Sequence, residues 1–171
     1  MAWLDEELRV LGDSVHNGFI PSEGAAFVVI GAPKGDKRPI ARVAHVAAGL
    51  DQTPPDEPRV AATMTELVGQ ATALRKSKPV PWIISDMNGE RHRTKEWTFV
   101  TVRHHDVIVG GKTREDYLGQ VAGDMGAASG AVAAAFATVA LESGFAPANE
   151  ALIALHSDWD ERGVVVMESV T

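Results

Sequence analysis

The sequence predicts an α/β domain, a mixed sheet packed with one buried, alanine-rich helix. Three observations carry this. Strand-like apolar runs alternate with helical-period segments along the chain. The end of the chain holds two short apolar runs on either side of DWDE, Asp158 to Glu161, which read as a hairpin, so the sheet is not purely parallel. Finally, GAASGAVAAAFATVALESG (126–144) has helical composition and almost no polar face, which marks a helix covered on most sides.

Taken in order, WLDEELRVL (3–11) places Trp3, Leu4, Leu8 and Leu11 at helical spacing, and GDSVHNG ends it. EGAAFVVIG (23–31) reads as a buried strand. It is expected to pair, through a KGDKR turn (34–38), with PIARVAHVAAGL (39–50) as a hairpin. DQTPPDEPR (51–59), with three prolines, is the longest loop. An amphipathic helix is predicted over 60–76 and a buried strand over VPWIIS (80–85). RTKEWTFVTVRHH (93–105) is read as a helix because Trp97, Val100 and His104 share a face, despite its β-branched residues. The stretch between that helix and 126 gives no defined pattern. EALIALHS (150–157) and RGVVVMES (162–169) are the closing strands. A chain of 171 residues with 45% hydrophobic content suits one domain, 1–171.

Composition narrows the function. No cysteine is present, which removes disulfides, a thiolate nucleophile and a zinc–thiolate site. A net charge of −7, with only KGDKR and LRKSK (74–78) as basic clusters, argues against nucleic acid as a partner. The absence of a signal-like start or of an apolar run near 18 residues points to a cytoplasmic protein without a membrane partner.

The chemistry-bearing residues concentrate in SDMNGERHRTKEW (85–97). Asp86, Asn88, Glu90 and His92 are metal-ligand types. The calcium-loop spacing nevertheless fails, because its sixth position is Arg91 instead of glycine and its twelfth is Trp97 instead of glutamate. A turn stapled by Asp86 and Asn88 to the backbone is the favoured reading, with no metal and no cofactor. His104, His105 and Asp106 are adjacent and point apart, so they do not form a triad. Ser129 in GAASGA lacks the first glycine and the preceding strand of a nucleophile elbow and reads as a small packing residue. Asp124 is placed to cap the long helix. Glu23 is expected to be buried or interfacial. Trp82 and Trp97 are assigned to the core, and Trp159, between Asp158 and Asp160, to an interface.

Three of these stretches, in order, resemble one family. NGFIPSEGAAFVVI (17–30) is similar to the "DGF…GEGA" strand entry of β-ketoacyl synthases in the thiolase-like superfamily. SDMNGERHRTKEW sits where that family carries its "HGT" loop, and GDMGAASGAVAAAF (123–136) resembles its "GH…GAAGA" helix start. The resemblance covers the second, C-terminal half of such an enzyme and implies a thiolase-like half-domain. It also implies that the family's nucleophilic cysteine lies outside this chain, and that its two histidine positions fall on Asn88 and Asp124. A carboxylate repels a developing oxyanion by about 1 kcal/mol even in a wet site. The resemblance therefore implies a pseudo-enzyme with no catalytic residues of its own, for which Asp86, Asn88, Glu90, Asp124 and Trp159 are candidate interface or ligand contacts. Its role is expected to be binding another protein in a heteromeric complex, with homodimerisation as the other way to cover an apolar helix. The resemblance further implies an accessory, adaptor or co-chaperone role beside a bacterial type VI secretion effector. The alternative is an acyl-binding or condensing module that needs a cysteine-bearing partner chain.

Overall fold

The computed structural model describes residues 2–32, 38–53, 57, 59–73 and 78–170. The expected KGDKR turn, the prolines of the 51–59 loop and the end of the 60–76 helix lie outside them. Helix α1 is Ala2–Glu6, strand β1 Ala41–Leu50, α2 Ala62–Thr72, β2 Trp82–Ser85, α3 Arg91–Arg103, β3 Arg114–Tyr117 and α4 Leu118–Val121. A 3-10 turn, Gly126–Ala128, leads into α5, Ser129–Ser143, and the chain closes with β4, Glu150–His156, and β5, Glu161–Ser169.

The five strands form one sheet in the order β1-β5-β4-β2-β3. The β4–β5 and β5–β1 pairs are antiparallel, and β4–β2 and β2–β3 are parallel. Period-two alternation divides the interior into two layers. Ile83, Leu152, Ala154, Val164 and Val166 pack with Met64, Leu67 and Val68 of α2 and Trp97 and Val100 of α3. Trp82, Ile84, Ala151, Ile153 and Met167 face Ala133, Ala137 and Ala140 of α5 on the other side. The alanines let α5 approach the sheet closely. Its buried residues form one stripe, Ser129, Ala133, Ala137 and Ala140. The expectation that this helix is covered on most sides is thus corrected to one face, with Val139 half-exposed on the other. Among the described residues, Gly126–Ser143 is also long and apolar enough to cross a membrane, contrary to the expectation of no such run; here it lies along the sheet.

The helix expected over 93–105 forms two residues earlier, as α3, with Trp97 and Val100 buried and His104 Nε2 2.8 Å from the Thr65 carbonyl oxygen. The closing hairpin forms at the predicted place. The first helix is shorter than predicted, since the chain turns back after Glu6 and residues 10 and 19 form a β-bridge.

The main correction concerns 23–31. It is extended but belongs to no strand, and Phe27 is 95% and Ile30 79% exposed. Among the described residues no hairpin with β1 forms, and Glu23 is exposed as well. Gly24 lies against Met125 and Ala26 is partly buried, but the large apolar side chains of 27–30 stay exposed. The fifth strand is instead β3, REDY, whose polar side chains at a sheet edge hide it from hydropathy.

Candidate functional site: a carboxylate–guanidinium cluster

Strands β2 and β4 run parallel and end side by side at Ser85 and His156, and open α/β sheets place their sites beyond such carboxyl ends. The loop after β2 carries Asp86, Asn88 and Glu90, all buried. Two glycines let the surroundings close on it. Gly89 has φ +102°, in the left-handed region, and a Cβ on Gly119 of α4 would stand 2.5 Å from the Met87 carbonyl oxygen.

Asn88 and Asp124, 36 residues apart, meet here: Asn88 Nδ2 donates to Asp124 Oδ2 at 2.6 Å. The same nitrogen donates to Glu90 Oε2 at 2.9 Å, and Asn88 Oδ1 accepts the Glu90 backbone N–H at 3.0 Å. A side-chain amide has two N–H bonds, and both are spent on carboxylates. Asp124 Oδ1 accepts the Gly126 N–H at 2.7 Å, so it caps the 3-10 turn, while α5 itself starts at Ser129 after Ala128. The expected capping role is displaced by one turn.

Arginines that the sequence reading did not single out complete the cluster. Arg9 is held by backbone bonds between its own strand-like segment and Phe19, and it clasps Glu90 through Nε at 2.7 Å and Nη2 at 2.9 Å. It also reaches Asp158 through Nη1 at 3.0 Å. Arg93, one turn into α3, donates to Asp158 at 2.8 Å and lies 3.4 Å from Asp86 Oδ2. Asp86 in turn accepts the His156 backbone N–H at 2.6 Å and lies 2.9 Å from His156 Nδ1. The His156 ring is buried edge-on to Trp97, and its Nε2 has no hydrogen-bond partner among the described residues. Asp86 therefore anchors a neighbouring strand instead of stapling its own turn. Arg93 lies between Asp86 and Glu90, 3.4 Å from Asp86 Oδ2 and 3.7 Å from Glu90 Oε2, and among the described residues no three acidic, histidine or cysteine side chains converge as a metal-holding group. Only sequence separation hides this network: residues 9, 90 and 158 lie in three distant segments.

Burial alone would raise the Glu90 carboxyl, yet hydrogen bonds from Arg9 and Asn88 hold it below the usual range. The hydrogen bond from Arg9, opposed by partial burial and reinforced by Arg93, brings Asp158 down to about 2. A carboxylate whose folded value is depressed contributes stability above its unfolded value and loses it as pH falls through the folded one. Stability is therefore expected to drop between about pH 4 and pH 2. Asp158→Asn should flatten that limb, as read from urea midpoints measured across this range.

Asp86, Arg93, Asp124, His156 and Asp158 of the cluster line an open cleft of about 870 Å3, together with Phe19, Ser22, Met125, Leu155 and Trp159. Trp159 is 78% exposed at its rim, whereas Trp82 and Trp97 are core residues that donate to Asp116 and Glu115. Ser129 is buried at the start of α5 and also lines the cleft. With two guanidinium groups against the carboxylates of Asp86, Glu90, Asp124 and Asp158, the site carries net negative charge.

Against solved structures, the chain is similar to the oxazolomycin ketosynthase domain of Streptomyces albus, at 14% identity and a TM-score of 0.62, over 78% of this chain and 46% of that chain. It is similar to ketosynthase twelve of the bacillaene polyketide synthase of Bacillus amyloliquefaciens at 9% identity and 0.61, over 77% of this chain and 30% of that chain. It also matches a type II polyketide synthase acyl-carrier protein in complex with its hexaketide-bound ketosynthase, at 14% and 0.56, over 77% and 34%. The chain spans less than half the length of these structures. The likeness shows the fold alone: the chain has the architecture of part of a ketosynthase domain. No family model matches the chain, and no curated protein matches it.

Proposed function

We propose that this chain is a non-catalytic, ketosynthase-like subunit that acts by binding another protein. The observation that supports it best is the state of Asn88. An oxyanion site needs free N–H donors, and both of those on Asn88 are bonded to the carboxylates of Glu90 and Asp124. At the second position Asp124 adds like charge, and the chain contains no cysteine to accept an acyl group. The clasp of Arg9 and Arg93 around these carboxylates is what a site kept for structure and recognition requires.

The partner is a separate protein, and the resemblance points to an accessory, adaptor or co-chaperone role beside a bacterial type VI secretion effector. The cleft favours a second reading, in which the chain binds acyl groups once a partner supplies the cysteine.

Incubation with malonyl- and acyl-thioesters followed by intact-mass spectrometry decides between activity and its loss. No mass increase is expected, and Asn88→His with Asp124→His should leave the result unchanged because the nucleophile is still missing. Covalent acylation of this chain would overturn the proposal. Acylation of a co-purified chain, abolished by substitutions in this cleft, would select the second reading.

A further inference from the structure

The segment Gly24–Ala32 belongs to no helix or strand, is unpaired within the described residues and is almost wholly apolar; as a strand it would set Phe27 and Val29 on one face and Val28 and Ile30 on the other. All four side chains are exposed. From its geometry we infer that this segment is a strand donated to a partner protein, where it becomes an interior strand of the partner's own α/β sheet. The inference rests on the reading of the chain as a partner-binding subunit, and it adds the mode of binding.

Three features argue for this occupant. A strand that is apolar on both faces suits a sheet covered by helices on both sides, whereas a strand lying in a surface groove or at an open edge is apolar on one. From residue 24 to 32 there is no charge and no proline, the residues that guard strands against pairing. The root of the segment is fixed: Ser22 N–H donates to the Asp124 carbonyl at 2.8 Å, and Asp124 N–H donates to that of Ile20 at 2.8 Å. The strand therefore starts beside the cleft that Pro21, Ser22 and Asp124 line, and whatever receives it closes over that cleft.

A second copy of this chain fits less well. Its free sheet edges are β1 and β3. Strand β3 is four residues long and carries Arg114, Glu115 and Asp116, and β1 leaves Val46 and Leu50 exposed on one face. Neither edge offers cover on both sides. The matching solved chains are more than twice the length of the part this chain covers.

The test places a photo-crosslinking residue at position 28 or at position 29 of the full chain, expressed in its source cells, with cross-linked peptides mapped by mass spectrometry. Positions 28 and 29 are expected to reach two different helices, one on each face of a single partner's sheet. Val29→Asp and Phe27→Asp should weaken the complex at least tenfold while leaving the thermal midpoint of the isolated chain unchanged, because both side chains are already in solvent. Cross-links to this chain's own peptides, cross-links from one face only, or undiminished binding by Val29→Asp would overturn strand donation. If a complex persists but cross-links form only from other positions such as Trp159, strand donation fails and the partner-binding reading stands. If no complex forms, both fail.

Discussion

Replacing Arg162 by methionine is expected to cost about 3–5 kcal/mol of folding stability, a large part of what a domain of this size possesses. Arg162 is buried and donates to Glu96 through Nε at 2.7 Å and Nη2 at 3.0 Å, a bidentate pair between β5 and α3. Its Nη1 donates to the carbonyls of Trp159 at 3.0 Å and Glu161 at 2.9 Å, which fixes the turn between β4 and β5. Removing the guanidinium leaves the Glu96 carboxylate buried without its partner, and that desolvation carries most of the cost. Changing both members, Glu96→Leu with Arg162→Met, should recover much of the loss, because an apolar pair of similar volume has no charge to solvate. The recovery should stop short of wild type by the share that belongs to the turn carbonyls. Urea denaturation of the two single variants and the double variant measures all three, and a single variant within 1 kcal/mol of wild type, roughly the worth of an exposed pair, would contradict the assignment.

Ala137→Glu should be comparably damaging, by about 4 kcal/mol or more. Ala137 is fully buried beneath α5 among Trp82, Ile84 and Ile153, where a carboxylate finds neither water nor a cation. Val139→Glu, on the half-exposed side of the same helix, should change stability by no more than about 0.5 kcal/mol. The contrast separates folding from assembly. Had α5 been shared with a partner through its alanine stripe, Ala137→Glu would leave a folded chain that no longer assembles. The packing of that stripe on this chain's own sheet predicts unfolding instead, seen as loss of the cooperative thermal transition.

Where one surface meets water and another meets the core, sequence pattern was informative. The apolar runs EALIALH and RGVVVMES on either side of DWDE placed β4 and β5, and Trp97, Val100 and His104 placed α3 against its β-branched content. The motif resemblance brought Asn88 and Asp124 to one site, where they are hydrogen-bonded. Pattern failed where the deciding partner is remote. The run 23–31 records that apolar side chains need cover, but says nothing of which sheet supplies it. Strand β3 owes its place to the backbone of β2 more than to its own charged side chains. Arg9, Arg93 and His156 were missed because each is unremarkable in its own segment and gains meaning only from carboxylates at positions 86, 90 and 158.

The pairing of β1 bears on how the molecule is made. Strand β1 sits at the sheet edge and its one strand neighbour is β5, with Ala41 opposite Ser169 and Leu50 opposite Glu161, over a hundred residues further along. During synthesis β1 emerges early and waits for β5, while the helices and parallel strands between them can already assemble. Closing so long a loop is the step that native pairing rewards last, so the rate at which this domain matures should follow that closure. Through that interval an apolar strand stands open on the ribosome-bound chain, which is when nascent-chain chaperones have the most to recognise.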